Sequence, residues 1–200
     1  MEDISDKIFS SIEYYDQNTT QFVNATIDAD MTNVYAEFEK YIDLGGTILD
    51  LGCGSGRDSL YFYDKGYKVV AVDPSTAMCS ETRKRVPIEV FLMRAEDIGF
   101  IEKFDAVWAC ASLIHVAREN MRATVSKIIQ ALKCGGIFYS SWKYGHGEQV
   151  RQGRYFAYFI NPRYSHRDIL SPHSQSFLSR QSQLCPQAAL SLCPLFHSYR

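Results

Sequence analysis

Five short apolar runs, alternating with helical patterns, fill the chain between residues 47 and 142. The runs are Thr47-Ile-Leu-Asp-Leu51, Lys68-Val-Val-Ala-Val-Asp73, Ile88-Glu-Val-Phe-Leu-Met93, Phe104 to Ala111 and Gly136 to Trp142. Each has the length and apolar continuity of a strand buried in a sheet. Before them, Met31, Val34, Tyr35, Phe38, Tyr41 and Ile42 recur at helical spacing, with Asp30 as an N-cap and Gly45-Gly46 as the stop. Further helices are expected from Ser59 to Lys65, over 75–85 and from Arg118 to Lys133. Strand and helix in strict alternation imply a parallel sheet with right-handed crossovers. The expected fold is α/β, a Rossmann-like, doubly wound, mostly parallel sheet.

At 46% hydrophobic and 22% charged, the 200 residues can bury a core. The formal charge of −2 argues against a strongly basic nucleic-acid binder. The acidic, mixed start from Met1 to Lys7 has neither the basic nor the apolar region of a secretory signal, and no run approaches the ~18 apolar residues of a membrane span. Six scattered cysteines form no CxxC pair, so no zinc or dithiol site is expected. These features together predict a cytoplasmic protein with no metal, nucleic-acid or membrane partner.

In such a sheet a ligand sits beyond the carboxyl ends of the strands, where the chain reverses direction of build. The first strand runs into Asp50-Leu-Gly52-Cys-Gly54-Ser-Gly56-Arg-Asp58. Its glycines allow a sharp turn and a close backbone approach to a ligand. The spacing is GxGxG, not the GxGxxG of dinucleotide enzymes. The carboxylate of Asp50, directly before the turn, would repel a pyrophosphate and favour a ligand with an ammonium group. S-adenosylmethionine meets that demand, having an α-ammonium, a cationic sulfonium and no phosphate. Asp73 ends the second strand, where an acid accepts hydrogen bonds from ribose hydroxyls; the competing role is an N-cap on the next helix, for which Ser75 is a rival.

The segments ILDLGCGSGRD (48–58), AVDPS (71–75), FDAVWACASLIHV (104–116) and LKCGGIFYSSWKYG (132–145) resemble the class I S-adenosylmethionine-dependent methyltransferases. Within that family the chain is most similar to small bacterial members related to the tellurite-resistance type, through WACASLIH, the later GRYF (153–156) and the opening YYDQNTTQF (14–22). The resemblance covers about residues 11 to 170. It implies a methionine-binding turn at Asp50, Gly52 and Gly54, and a ribose site at Asp73 with Ser75 beside it. It implies an adenine-contacting stretch at Glu96 and Asp97, although Arg94 stands where many relatives have the acid. Backbone carbonyls at Cys110 and Ala111 would face the sulfonium.

Methyl transfer from a sulfonium is a displacement at carbon that needs chiefly alignment and exclusion of water. A base is required only for an acceptor that arrives protonated. His115 is the candidate, as base or orienting donor, against a plain packing role at a helix start. Tyr14, Tyr15 and Asn18 are expected in a lid over the cofactor, as the resemblance implies. Lys143, Tyr144, Arg151 and Arg154 form a basic, aromatic cluster after the fifth strand that suggests an anionic acceptor; each alone also reads as a residue of a solvated loop.

Residues 1–170 are therefore expected to form the methyltransferase domain, with a helix starting at Asn161-Pro162. All 23 acidic residues lie at or before Asp168, whereas residues 171–200 hold seven Ser, four Gln and three of the six Pro. This tail lacks the alternating apolar strands that would close the family's sheet, so the fifth strand is expected to be an exposed edge. A shifted reading frame or a replaced 3′ end would produce such a change; a lineage-specific or disordered tail is the alternative. Three functions follow in order: a methyltransferase acting on a small molecule, a degenerate cofactor-binding protein impaired by its C-terminus, and an NAD-dependent oxidoreductase.

Overall fold

The apolar runs do become the strands of one sheet. A computed structural model describes residues 4–143, 145, 147–158, 174–180 and 191–195, with the backbone alone for 4–10, 174–180 and 191–195. Two helices, α1 (Ile4–Gln17) and α2 (Thr19–Thr26), precede α3 (Thr32–Glu39). Then come β1 (Thr47–Leu51), α4 (Arg57–Asp64), β2 (Lys68–Asp73), α5 (Thr76–Arg85) and β3 (Glu89–Leu92). They are followed by β4 (Phe104–Ala109), α6 (Arg118–Ala131) and β5 (Leu132–Lys143). A hairpin of β6 (Glu148–Arg151) and β7 (Arg154–Ala157) stands apart, and β8 (Ser174–Arg180) and β9 (Ser191–Leu195) extend the sheet.

The sheet order is β3-β2-β1-β4-β5-β8-β9, parallel through β5. Side-chain alternation divides the core between its faces. Ile48, Ala106, Trp108, Ile137 and Tyr139 face α3 and α4, where Phe38 and Phe62 close around Trp108 and Tyr139 stacks on it at 4.0 Å. Leu49, Leu51, Val70, Val107 and Phe138 face the other way, towards Ile128 and Ala131 of α6. Burial on both faces is why these strands read as continuous apolar runs.

Element ends differ from the sequence expectation where backbone geometry intervenes. The N-cap of α3 is Met31 rather than the expected Asp30, whose carboxylate accepts from the Thr32 amide at 2.9 Å, and the helix closes at Glu39, well before Gly45-Gly46. Strand β4 stops at Ala109, because Ala111 turns into positive φ of 51°. Strand β5 starts at Leu132, four residues before the expected start, and its pairing with β4 shifts between Phe104 and Ala106. Gly135, at φ 78°, provides the irregular residue.

The expectation of an exposed β5 edge is corrected. β8 pairs antiparallel with β5 from Ile137↔Arg180 to Lys143↔Ser174, and β9 pairs antiparallel with β8. Open amides along β5 can be satisfied by any chain able to extend, without a strongly apolar sequence. Pro194 lies in β9, the outermost strand, where a missing N–H is tolerated. The helix start at Asn161-Pro162 lies outside the described residues.

Candidate functional site

The sheet changes its direction of build between β1 and β4, and the site forms beyond that point. Gly52 leaves β1 at φ 86°, with its amide on the Val72 carbonyl at 2.8 Å. A Cβ at Gly52 would lie 2.3 Å from the Cβ of Ser112, so only glycine lets the turns after β1 and β4 meet. Gly54, at φ 52°, lies beneath the ring of Phe22 from α2.

Asp73 ends β2 with its carboxylate facing the cavity beside this turn. Its oxygens accept from the amides of Gly54 and Ser75, each at 2.9 Å. Burial raises its pKa to about 6, while those two amides hold it down. Ser75 does not line the cavity: it is the N-cap of α5, accepting from the Met78 amide at 3.1 Å. Its hydroxyl donates to Asp16 of α1 at 2.6 Å, and Asp16 also accepts from the Ala77 amide. Thus the capping role goes to Ser75 and the cavity-facing role to Asp73, while Asp16 ties the N-terminal helix to the domain.

Asp50 takes an unexpected position. Alternation along β1 puts it on the α4 face with Ile48, and Ser59 donates to it at 2.5 Å. It is 1% exposed and does not line the cavity, so the carboxylate supports the turn from behind. Burial, reinforced by the charge of Asp58, raises its pKa well above the carboxylate range. Two residues of the same motif, absent from the sequence-derived site, face the cavity instead. Arg57 donates to Asp58 at 2.7 and 3.0 Å and to the Thr26 carbonyl at 3.1 Å. Asp58 also accepts from Trp108 Nε1 at 2.9 Å and from the Tyr35 hydroxyl, so its carboxylate is fully used. A polar pair in the first turn after the glycines was the available signal.

Cys110 and Ala111 line the cavity at the end of β4, next to Arg57. Burial pushes the Cys110 thiol up to about 12, which keeps it protonated and inert. The neighbouring Ser112 Oγ is buried, faces the cavity and has no hydrogen-bond partner among the described residues. Glu96 lines the cavity with Arg94, its ion-pair partner at 2.5 Å; Asp97 does not.

A second part of the cavity is walled by α1, β5 and β7. His115 lies with Nδ1 2.7 Å from the Tyr155 carbonyl oxygen and Nε2 2.9 Å from the Tyr15 hydroxyl. A carbonyl can only accept, so Nδ1 carries the proton and Nε2 accepts from Tyr15. Burial lowers the imidazole pKa to about 4, with further depression from Arg154 and Lys143. Of the expected lid residues, Tyr15 lines the cavity, whereas Tyr14 and Asn18 do not. Tyr14 presents its ring to Arg154 at 4.5 Å, and Asn18 donates to the Tyr14 carbonyl at 2.9 Å. Ser11 of α1 accepts from the Tyr155 amide at 2.7 Å, joining the helix to the hairpin. Lys143 and Arg154 both reach the cavity, Arg151 does not, and Tyr144 lies outside the described residues.

These parts share one cavity of about 480 Å3, within the range of small-molecule sites. Two features fit an adenosyl ligand with an amino-acid end. The Asp73 carboxylate retains acceptor capacity beside the glycine turn, and the orphaned Ser112 hydroxyl lacks a partner there. No helix among the described residues is long and apolar enough to cross a membrane, and no cluster there could hold a metal ion.

Comparison with known proteins agrees with this geometry. Residues 48–136 match the family model for a methyltransferase domain. An uncharacterised methyltransferase of Synechocystis is 32% identical over 99 residues, covering 48% of this chain and 47% of its own length. The cypemycin N-terminal methyltransferase of a Streptomyces species is 35% identical over 97 residues, covering 46% and 40%. The chain thus spans about half the length of the curated relatives it matches or less. The fold superposes on the 1,6-didemethyltoxoflavin N1-methyltransferase of Burkholderia thailandensis with a TM-score of 0.67, at 18% identity and over 88% of each chain. That enzyme was solved with its acceptor and S-adenosylhomocysteine bound. Residues 48–136 are thus similar to a methyltransferase domain, and the fold is shared with a methyltransferase.

Proposed function

We propose that the protein transfers a methyl group from S-adenosylmethionine to a small-molecule acceptor by direct displacement, mainly through positioning. The observation that carries this reading is that the glycine turn and Asp73 open into the same cavity as the aromatic, cationic wall of α1, β5 and β7. One cavity thereby offers a cofactor end and an acceptor end.

Asp73 would take the ribose hydroxyls, with the backbone of Gly52 and Gly54 against the amino-acid part and Arg57 available to its carboxylate. Glu96 and Met93 lie on the adenine side. Bound S-adenosylmethionine supplies a methyl already activated on a sulfonium. The chain's own contribution is to align the acceptor and exclude water, which is the task of Tyr15, Phe22 and Phe156. His115 is a positioning residue in this reading: it is neutral, donates to the Tyr155 carbonyl and fixes the Tyr15 hydroxyl. A base with a pKa near 4 abstracts protons poorly at neutral pH, which favours an acceptor that needs none removed.

The narrower placement with tellurite-resistance-type enzymes rests on the sequence segments alone. Free thiols at Cys53, Cys79, Cys110 and Cys134 support a reducing, cytoplasmic setting. The formal charge of −2 supports a small acceptor over a nucleic acid. Calorimetry with S-adenosylmethionine and with NAD, followed by a methyl-acceptor screen, tests the reading. Binding of NAD alone overturns it in favour of an oxidoreductase. Cofactor binding without turnover on any acceptor would favour a degenerate binding protein.

A further inference from the structure

The ionisable groups that line the cavity do not balance locally. Arg57 is paired with Asp58 and Arg94 with Glu96. Asp73 accepts from two backbone amides at the cofactor end. Lys143 and Arg154 remain: no carboxylate among the residues whose side chains are described lies within 4.0 Å of either, and Arg154 donates from one Nη to the Gln152 amide oxygen at 3.1 Å. Both stand over one aromatic ring, Lys143 Nζ at 4.2 Å and the Arg154 guanidinium at 5.2 Å from the centre of Phe156. Arg154 also lies 4.5 Å from the ring centre of Tyr14, and its buried Nε has no hydrogen-bond acceptor.

Aromatic faces attract a cation, but they do not neutralise it or take the place of a carboxylate acceptor. Two neighbouring cations in a partly desolvated pocket repel each other, and a bound sulfonium would add a third positive charge. Lys143 registers this already, its pKa lowered by burial and then by Arg154 and Arg151. The rings of Tyr15, His115 and Phe156 line the cavity beside the two cations, and the polar atoms of Tyr15 and His115 are already hydrogen-bonded.

Building on the methyltransferase reading, we propose that the acceptor is a small aromatic anion, its carboxylate held by Lys143 and Arg154 and its ring lying against Tyr15 and Phe156. The carboxylate supplies the missing counter-charge and the acceptor for Arg154 Nε, with the bidentate geometry that guanidinium favours. The aromatic body lies against the cavity side of the Tyr15, His115 and Phe156 cluster, whose rings pack edge-on or tilted on one another. Lys143 and Arg154 are then specificity-determining residues for the acceptor and have no part in holding the cofactor.

The test is calorimetric binding of benzoate, salicylate and 4-hydroxybenzoate, each against its neutral amide, to full-length protein saturated with S-adenosylhomocysteine. At least one acid should bind about tenfold or more tightly than its amide. Arg154→Gln and Lys143→Met should each remove about tenfold of that affinity while leaving the S-adenosylhomocysteine Kd within about twofold. Unchanged cofactor affinity shows that the variants are folded. If acids and amides bind alike, or if both variants keep the wild-type preference, the proposal is overturned. Should S-adenosylhomocysteine itself not bind the wild type, the methyltransferase reading fails; the same titrations on the free protein still decide whether the two cations hold an arylcarboxylate.

Discussion

His115 and Tyr15, one hundred residues apart in the chain, meet through a 2.9 Å hydrogen bond in which the phenol donates to Nε2. The bond places a helix of the N-terminal segment against the loop after β4, while the Tyr155 carbonyl at Nδ1 settles the tautomer of the imidazole. Its ring also packs between Tyr15, edge-on at 5.4 Å, and Phe156, tilted at 5.0 Å.

This imidazole should stay neutral down to about pH 4. Its folded pKa lies below the unfolded value of 6.5, so the unfolded chain binds the proton more readily. Stability is therefore full above pH 6.5 and falls as pH drops towards 4, by at most about 3 kcal/mol. Nitrogen-15 NMR should report an Nδ1-protonated neutral ring at pH 6, and the melting advantage of wild type over His115→Gln should shrink between pH 7 and 5. An imidazole titrating near pH 6.5 would contradict the buried geometry. If His115 only positions Tyr15, Tyr15→Phe and His115→Gln should impair methyl transfer to similar extents without introducing a new acidic limb in the pH profile.

The contact between Gly52 and Ser112 predicts a specific double-mutant result. Gly52→Ala combines positive φ with a Cβ 2.3 Å from that of Ser112 and should cost about 2–4 kcal/mol of unfolding free energy. Gly66→Ala has a similar φ of 89° but meets nothing within 4 Å, and should cost only about 1 kcal/mol. Adding Ser112→Gly to Gly52→Ala should recover the steric share but not the conformational one. Denaturant titration of wild type, Gly52→Ala, Ser112→Gly and the double variant measures the coupling; additive effects would mean that the two turns do not touch.

Much of this arrangement is readable in the sequence, and the remainder fails for identifiable physical reasons. β1 and β2 are continuous apolar runs because helices cover both faces of the sheet. Gly52 and Asp73 are legible because backbone conformation and strand-end position confine what can stand there. Asp50 is misplaced by the motif alone, since the motif does not say which face of the strand it occupies. Its period-two relation to Ile48 would have sent it under α4, to Ser59. Asp16 on Ser75 and Ser11 on Tyr155 join segments 59 and 144 residues apart, and no local pattern records such contacts. The strands at 174–180 and 191–195 follow from an open β5 edge more than from their own composition.

Asp73 makes cofactor affinity pH-dependent. The ionised carboxylate is the better acceptor for ribose hydroxyls, and its pKa is about 6. S-adenosylhomocysteine should therefore bind about tenfold more weakly at pH 5 than at pH 7.5. Asp73→Asn should bind weakly at both values, by about 10–100-fold relative to wild type at neutral pH. The stability effect has the opposite sign. Because the folded pKa is raised, the native state holds the proton between about 3.8 and 6, and this contribution is lost as pH rises through 6. Calorimetry at the two pH values separates binding from stability; a pH-independent Kd for wild type would remove Asp73 from the ribose site.

The pairing of β8 with β5 gives the C-terminal residues a structural role despite their composition. Seven registered pairs from Ile137↔Arg180 to Lys143↔Ser174 cover the amides of β5. Truncation after Leu170 should expose that edge, lower the melting temperature by roughly 5–10 °C and promote self-association. Hydrogen exchange locates the effect: amides of residues 137–143 should lose protection in the truncated protein, while those of β1 and β2 keep theirs. S-adenosylhomocysteine binding should survive, because none of the described residues that line the cavity lies beyond Phe156. Unchanged protection along β5 would show that the strand does not depend on β8, and that the altered composition after residue 170 has no bearing on the sheet.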